Sequence, residues 1–117
     1  INIKKIDKMI NMLKTKKYNS AQTISKVSHN NHFLNQRVFM NTQVSFKFEK
    51  ERIKKYNKQR KPESYKFGNI IIFKSKKFLQ TKNVFCKPSY GLLIDFLSSI
   101  DIDTKEDLTL ARKLLNK

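Results

Sequence analysis

The chain has 117 residues and 38% hydrophobic content, enough for one small domain with a modest core. A formal charge of +17 would suit a polyanion, but the basic residues are nearly all Lys, with Arg only at Arg37, Arg52, Arg60 and Arg112. In a chain also rich in Asn and Ile, that balance fits an A/T-rich coding sequence better than a dedicated nucleic-acid surface. A single cysteine, Cys86, excludes an intramolecular disulfide.

No apolar run nears the roughly 18 residues of a membrane span and no signal peptide is read, so the expectation is a soluble, cytoplasmic protein. The first residue is Ile1 rather than Met, which reads as an incomplete chain.

Ile3, Ile6, Met9, Ile10 and Leu13 recur at helical spacing and predict an amphipathic helix over residues 2–14 with Lys on its outer face. Residues 18–27 read as a strand entered through Asn19-Ser20. His29 and His32 have neither a Cys pair nor a His-Glu-x-x-His arrangement near them, and read as loop histidines rather than a zinc site. Over residues 33–48 apolar positions alternate imperfectly, with Phe46 and Phe48 two apart. This predicts an irregular ribbon or hairpin whose outward residues need covering.

Residues 49–64 are highly charged and read as a solvated loop or short helix, ended by Pro62. Gly68-Asn69 then introduces Ile70-Ile71-Ile72-Phe73, a continuous apolar run expected to be a fully buried strand. A short helix over residues 74–79 and an apolar strand-like run over residues 90–96 follow, and Cys86 reads as a small buried hydrophobe or a bystander. The order helix, strand, ribbon, strand, strand, helix predicts an α/β layout in one domain over residues 1–117.

The run from Ser99 to Leu108 points most directly at chemistry. Asp101 and Asp103 stand one residue apart in a β-branched segment. On a strand they would share one face roughly 6 to 7 Å apart and could flank a hydrated cation, with Ile100 and Ile102 turned into a core. Thr104 is placed to cap the next helix, with Asp107 three residues on as in a capping box. Leu108, Ala111, Leu114 and Leu115 would lay that helix on a sheet. The same spacing also fits a solvated turn aspartate at Asp101 and an accessory cap at Asp103.

Residues 99–115 resemble the ending of the acylneuraminate cytidylyltransferases, the enzymes that make CMP-activated sialic acids and related nonulosonic acids; the Asp101-Ile102-Asp103-Thr104-x-Glu106-Asp107-Leu108 run is the most specific part. Other segments agree in order. The helix over residues 2–14 followed by Tyr18-Asn19-Ser20 resembles the family's helix and strand, as Val27-Ser28-His29 does the end of that strand. Lys58-Gln59-Arg60-Lys61-Pro62-Glu63-Ser64-Tyr65 is similar to the Arg-Gln-x-x-Pro-x-x-Tyr element, and Gly68 begins a run in the place of its Asn-Gly-Ala-Ile-Tyr strand. The resemblance spans almost the whole chain but only the carboxyl-terminal half of the family.

It implies a partial Rossmann-like nucleotidyltransferase fold, on which the anomeric hydroxyl of the sugar acid attacks the α-phosphate of CTP and pyrophosphate leaves. Asp101 and Asp103 would correspond to ligands of Mg2+. Lys58, Gln59, Arg60, Tyr65 and Asn69 would fall in elements near the acidic sugar. The ribbon with Phe33, Phe39, Phe46 and Phe48 would cross to a partner in a homodimer.

The sequence departs from the family in three ways. The phosphate-gripping loop and the Leu-Gln-Pro-Thr-Ser motif are absent, Lys58 stands for Arg, and Asn-Gly is reversed as Gly68-Asn69. The expectation is therefore a chain inactive alone. Two other readings are a basic nucleic-acid-binding module, with aromatics and Lys interleaved over residues 33–73, and a non-catalytic remnant that pairs with a separate partner.

Overall fold

In the computed structural model, which describes residues 2–15, 17–54 and 62–116, the first helix α1 (Ile3–Lys14) starts where Asn2 Oδ1 accepts a hydrogen bond from Lys5 N at 3.1 Å. There follow β1 (Ser20–Lys26), β2 (Arg37–Met40), β3 (Gln43–Phe46), α2 (Glu49–Lys54), β4 (Tyr65–Phe73), α3 (Ser75–Thr81), β5 (Ser89–Leu93) and α4 (Lys105–Leu115). Single 3-10 turns lie at His29–Asn31, Phe33–Asn35 and Leu97–Ser99. This is the mixed α/β class expected. The chain packs as two compact units, Ile1–Ser25 with Phe67–Lys117, and Lys26–Lys66.

The first unit is built on a mixed three-stranded sheet in the order β4-β1-β5. β1 runs parallel to β5 from Ser20↔Ser89 to Ile24↔Leu93, and Ile94 N donates to Ile24 O at 2.8 Å just beyond. One face is closed by α1, whose Met9 and Leu13 pack with Ala21 and Leu92, ringed by Tyr18, Ile70, Ile72 and Tyr90. Tyr18 meets Tyr90 edge to face at 5.4 Å. The predicted stripe of α1 is only partly used, since Ile3 is 76% exposed and Ile10 also reaches solvent. With three strands, the sheet is too narrow to cover the whole apolar face of the helix.

Two further expectations change for related reasons. β4 is half-buried rather than fully buried, with Gly68 its one buried residue. The apolar run over residues 90–96 leaves the sheet after Leu93, and Phe96 is exposed. An edge strand with one covered face needs fewer buried side chains than a central parallel one.

The junction of β1 with β4 is irregular at one point. Thr23 Oγ1 accepts from two successive backbone donors, Asn69 N and Ile70 N, both at 3.0 Å. Two adjacent N–H groups are thus satisfied by one side chain. Gly68 makes the approach possible: a Cβ there would stand 2.5 Å from Thr23 Oγ1 and 2.9 Å from Ile94 Cδ1.

In the second unit, β2 and β3 form an antiparallel hairpin in the register Arg37↔Phe46 to Met40↔Gln43. This is the expected ribbon, tightened to residues 37–46. Its turn residues Asn41 and Thr42 have φ of 51° and 64°, the pair of positive values that a two-residue type I′ turn requires. Asn tolerates that region, whereas the branched Cβ of Thr42 does not.

His32, expected as a loop histidine, is a buried fastener in this unit. Its Nε2 lies 2.7 Å from Pro62 O and its Nδ1 accepts from Leu34 N at 3.1 Å. Because a carbonyl can only accept, the proton belongs on Nε2. The ring also stacks on Phe33, which meets Phe48 edge to face.

Two substitutions test these points. Gly68→Ala is expected to lower the urea unfolding free energy by about 1 to 3 kcal/mol, and Gly91→Ala by less, since its Cβ would meet Ile24 Cδ1 at 3.3 Å. Thr42→Gly is expected to stabilise the hairpin by about 0.5 to 1 kcal/mol, read as amide exchange across β2 and β3 slowed by roughly 2- to 5-fold.

Candidate functional site: two aspartates between two anchors

Asp101 and Asp103 do not lie on a strand. After β5 the chain makes the Leu97–Ser99 turn, and residues 100–103 are irregular. Ile100 is half-buried, but Ile102 is 52% exposed and faces no core, which corrects both the expected final strand and its inward pair of isoleucines. The physical reason is that the turn takes the chain off the sheet. No ladder partner then enforces alternation.

Both aspartates are exposed, and Asp101 Oδ1 accepts from Ile102 N at 3.1 Å. Their segment is held at either side. Before it, Ser98 O accepts from Asn69 Nδ2 at 2.7 Å and Ser98 N donates to Asp95 Oδ1 at 2.8 Å. Ser99 is buried, and its hydroxyl donates to Phe96 O at 2.7 Å. Hydrogen bonds from Ser98, side chain first and backbone second, hold the Asp95 carboxyl below the ordinary aspartate range.

After it, the expected capping box is present. Thr104 Oγ1 accepts from Asp107 N at 3.1 Å, and Asp107 Oδ2 accepts from Thr104 N at 3.0 Å and Asp103 N at 3.1 Å. The Thr104 hydroxyl, then the backbone N–H groups of Asp103 and Thr104, keep the Asp107 carboxyl below its usual range. On α4, Leu108, Ala111 and Leu114 are half-buried, while Leu115 is 85% exposed and drops out of the expected stripe. Leu115 is the last helical residue, where the helix ends beside half-buried Leu114.

Among the described residues, no three His, Cys, Asp or Glu side chains gather as a metal cluster. Two exposed carboxylates are nonetheless an all-oxygen donor set of the kind Mg2+ accepts, because water and phosphate oxygens complete its shell. The donor chemistry therefore fits the ion as a partial site.

Asn69 sits in the same unit as the aspartates, and its amide is engaged at both ends: Oδ1 accepts from Thr23 Oγ1 at 3.1 Å and Nδ2 donates to Ser98 O. Tyr65 belongs to the other unit. Its hydroxyl donates to Glu63 Oε2 at 2.7 Å, and Lys26 Nζ pairs with Glu63 Oε1 at 2.9 Å. Lys58, Gln59 and Arg60 lie outside the described residues.

Of the four ribbon phenylalanines, Phe39 is 72% exposed beside exposed Met40 and Val44. Phe46 instead meets two cations, with Arg37 Cζ 4.6 Å and Arg52 Cζ 3.9 Å from its ring centre. Phe33 and Phe48 pack on one another. Val38, Met40 and Val44 add to the exposed apolar surface of the hairpin and are absent from the sequence reading, although the unbroken Val38-Phe39-Met40 run and the placing of Val44 between Gln43 and Ser45 are the signals that would have found them. Thr23 was missed too, and a lone buried hydroxyl leaves no trace in periodicity.

No helix among the described residues is long and apolar enough to cross a membrane. The chain matches no family model and no curated protein.

The Lys26-Glu63-Tyr65 group gives a test with a definite sign. The Tyr65 hydrogen bond, followed by that of Lys26, lowers the Glu63 carboxyl, while the Glu63 carboxylate raises the Tyr65 hydroxyl and the Lys26 ammonium. What Glu63 contributes to stability is present above its unfolded pKa and fades as pH falls through the lowered folded value. What Tyr65 and Lys26 contribute is present below their unfolded values and is lost as pH rises through the raised ones. Glu63→Gln is expected to bring the Tyr65 ring resonances to an earlier alkaline midpoint in an NMR titration; an unchanged midpoint would mean that the triad does not form in solution.

Proposed function

We propose that this chain is the carboxyl-terminal part of a cytidylyltransferase that transfers CMP from CTP to a sialic-acid-like nonulosonic acid, on a Rossmann-like nucleotidyltransferase fold. The observation that carries the reading is the run over residues 99–115, where two exposed carboxylates stand directly before a helix closed by the Thr104-Asp107 capping box. The parallel pairing of β1 with β5 beneath α1 supports it, as an arrangement in keeping with that fold.

In this reading Asp101 and Asp103 hold Mg2+, which when bound neutralises charge on the CTP phosphates. Lys58 or Arg60, with Gln59, contacts the sugar carboxylate, which suits a cation and an amide donor. By the resemblance, Tyr65 and Asn69 each fall in an element associated with the acidic sugar. The β2–β3 hairpin, with Phe39 outward, pairs two copies as a cytoplasmic homodimer.

Nothing in this sequence supplies the Gly-Ser-Lys loop or the Leu-Gln-Pro-Thr-Ser motif that would grip CTP. The chain alone, given CTP, Mg2+ and sialic, legionaminic or pseudaminic acid, is expected to release no pyrophosphate. Adding an amino-terminal half with both motifs is expected to restore turnover with one of these acids, and Asp101→Asn or Asp103→Asn to reduce it by about 100-fold. Turnover by the isolated chain would refute its inactivity. Full turnover by both aspartate variants, or none by any completed form, would overturn the assignment.

A further inference from the structure

We infer that Asn69 and Asp107 are positioning residues for the Asp101 and Asp103 carboxylates, gripping the backbone on either side of them; this rests on the metal-binding role proposed for those aspartates. The hydrogen-bond directions are fixed without choice. Thr23 Oγ1 already accepts from Asn69 N and Ile70 N, so its own proton must be donated, and Asn69 Oδ1 receives it at 3.1 Å. That turns Asn69 Nδ2 outward to Ser98 O, a carbonyl that can only accept, at 2.7 Å.

Thr23 is fully buried, so this chain of bonds starts from a rigid point in the sheet and ends on the turn that precedes the aspartates. On the far side, Asp107 Oδ2 takes Asp103 N and Thr104 N, which fixes where the segment joins α4. Residues 100–103 make no ladder of their own. They are a short bridge whose shape is set by these two grips, and the carboxylates they carry move with it.

Asn69→Asp separates the two ends of the amide: it keeps an acceptor for Thr23 and sets a carboxylate oxygen against Ser98 O. The test uses the full chain and Mn2+ alone, read as paramagnetic broadening of amide resonances. Mn2+ is expected to broaden residues 101–103, and the joint Asp101→Asn, Asp103→Asn variant to abolish this. Asn69→Asp and Asn69→Ala are expected to weaken the apparent Mn2+ affinity by about 10-fold, while Thr23→Ser, which keeps the hydroxyl, retains it. Asn69 variants that bind Mn2+ as the parent does would overturn the inference.

Metal-free amide exchange separates this from the proposed function. In Asn69→Asp, exchange is expected to rise by about 10-fold at Ser99 and at residues 101–103 relative to the amides of Met9 and Leu13. If Mn2+ does not gather at the aspartates of the parent chain, the metal reading falls, and exchange alone decides the positioning role. A uniform rise, or none, overturns it. Should both Asn69 variants fail to fold, Asp107→Asn carries the same expected weakening, and its binding as the parent does is the overturning result.

Discussion

The hydroxyl of Thr23 is the constraint on which the first unit depends. It lies in the central strand, fully buried, and takes up two successive backbone donors of β4. Left without that oxygen, two half-buried N–H groups would lose their partner, at a cost of up to about 1 to 3 kcal/mol each. This close approach in turn requires Gly68, because a side chain there would occupy the place of the hydroxyl. Thr23, Gly68 and Asn69 are therefore one unit of structure, and the Leu97–Ser99 turn hangs from it through Ser98 O.

This reliance on polar bonds extends through the chain. Alongside Met9, Leu13, Ala21, Leu34, Cys86, Leu92 and Ile94, the buried set includes Ser20, Thr23, Ser25, His32, Asn35 and Ser99. Ser20 donates to Cys86 O at 2.7 Å and Asn35 to His29 O at 2.6 Å, while Ser25 Oγ has no hydrogen-bond partner. Small polar side chains add little apolar burial, but each satisfied bond admits only one orientation of its partner. A core of this kind gains specificity of placement more than strength. The second unit has the same character, since His32 joins Pro62 to Leu34 where a larger apolar cluster would otherwise be needed.

Legibility in the sequence followed the range of the interactions. The helix of residues 3–14, the hairpin, the short helix after Lys74 and the Thr104-Asp107 box were readable because capping and periodicity act over three or four residues. The half-burial of β4 and the early end of β5 were not, because burial depends on how many strands and layers surround an apolar run. Ile100-Asp101-Ile102-Asp103 was the sharpest misreading. Its alternation matches a strand, yet the bond from Asn69 to Ser98, between residues far apart in sequence, fixes a turn just upstream and no strand forms. Asn69 itself was singled out for its place in a motif, and its engagement with Thr23 and Ser98 could not be seen from that place.

The irregular backbone changes what the two aspartates can be. On a strand their separation would be set by the pleat, whereas on a bridge fixed at both ends it is set by the anchors. Both side chains are exposed, so solvent screens any repulsion between them. A solvent-exposed pair gains only a modest affinity from a cation by itself. In the proposed enzyme most of the affinity for Mg2+ would thus come from the phosphates that arrive with it, and the contribution of this chain would be the placement of two oxygens. Placement is what Thr23, Asn69 and Asp107 are arranged to supply, through hydrogen bonds to backbone atoms rather than contact with the carboxylates.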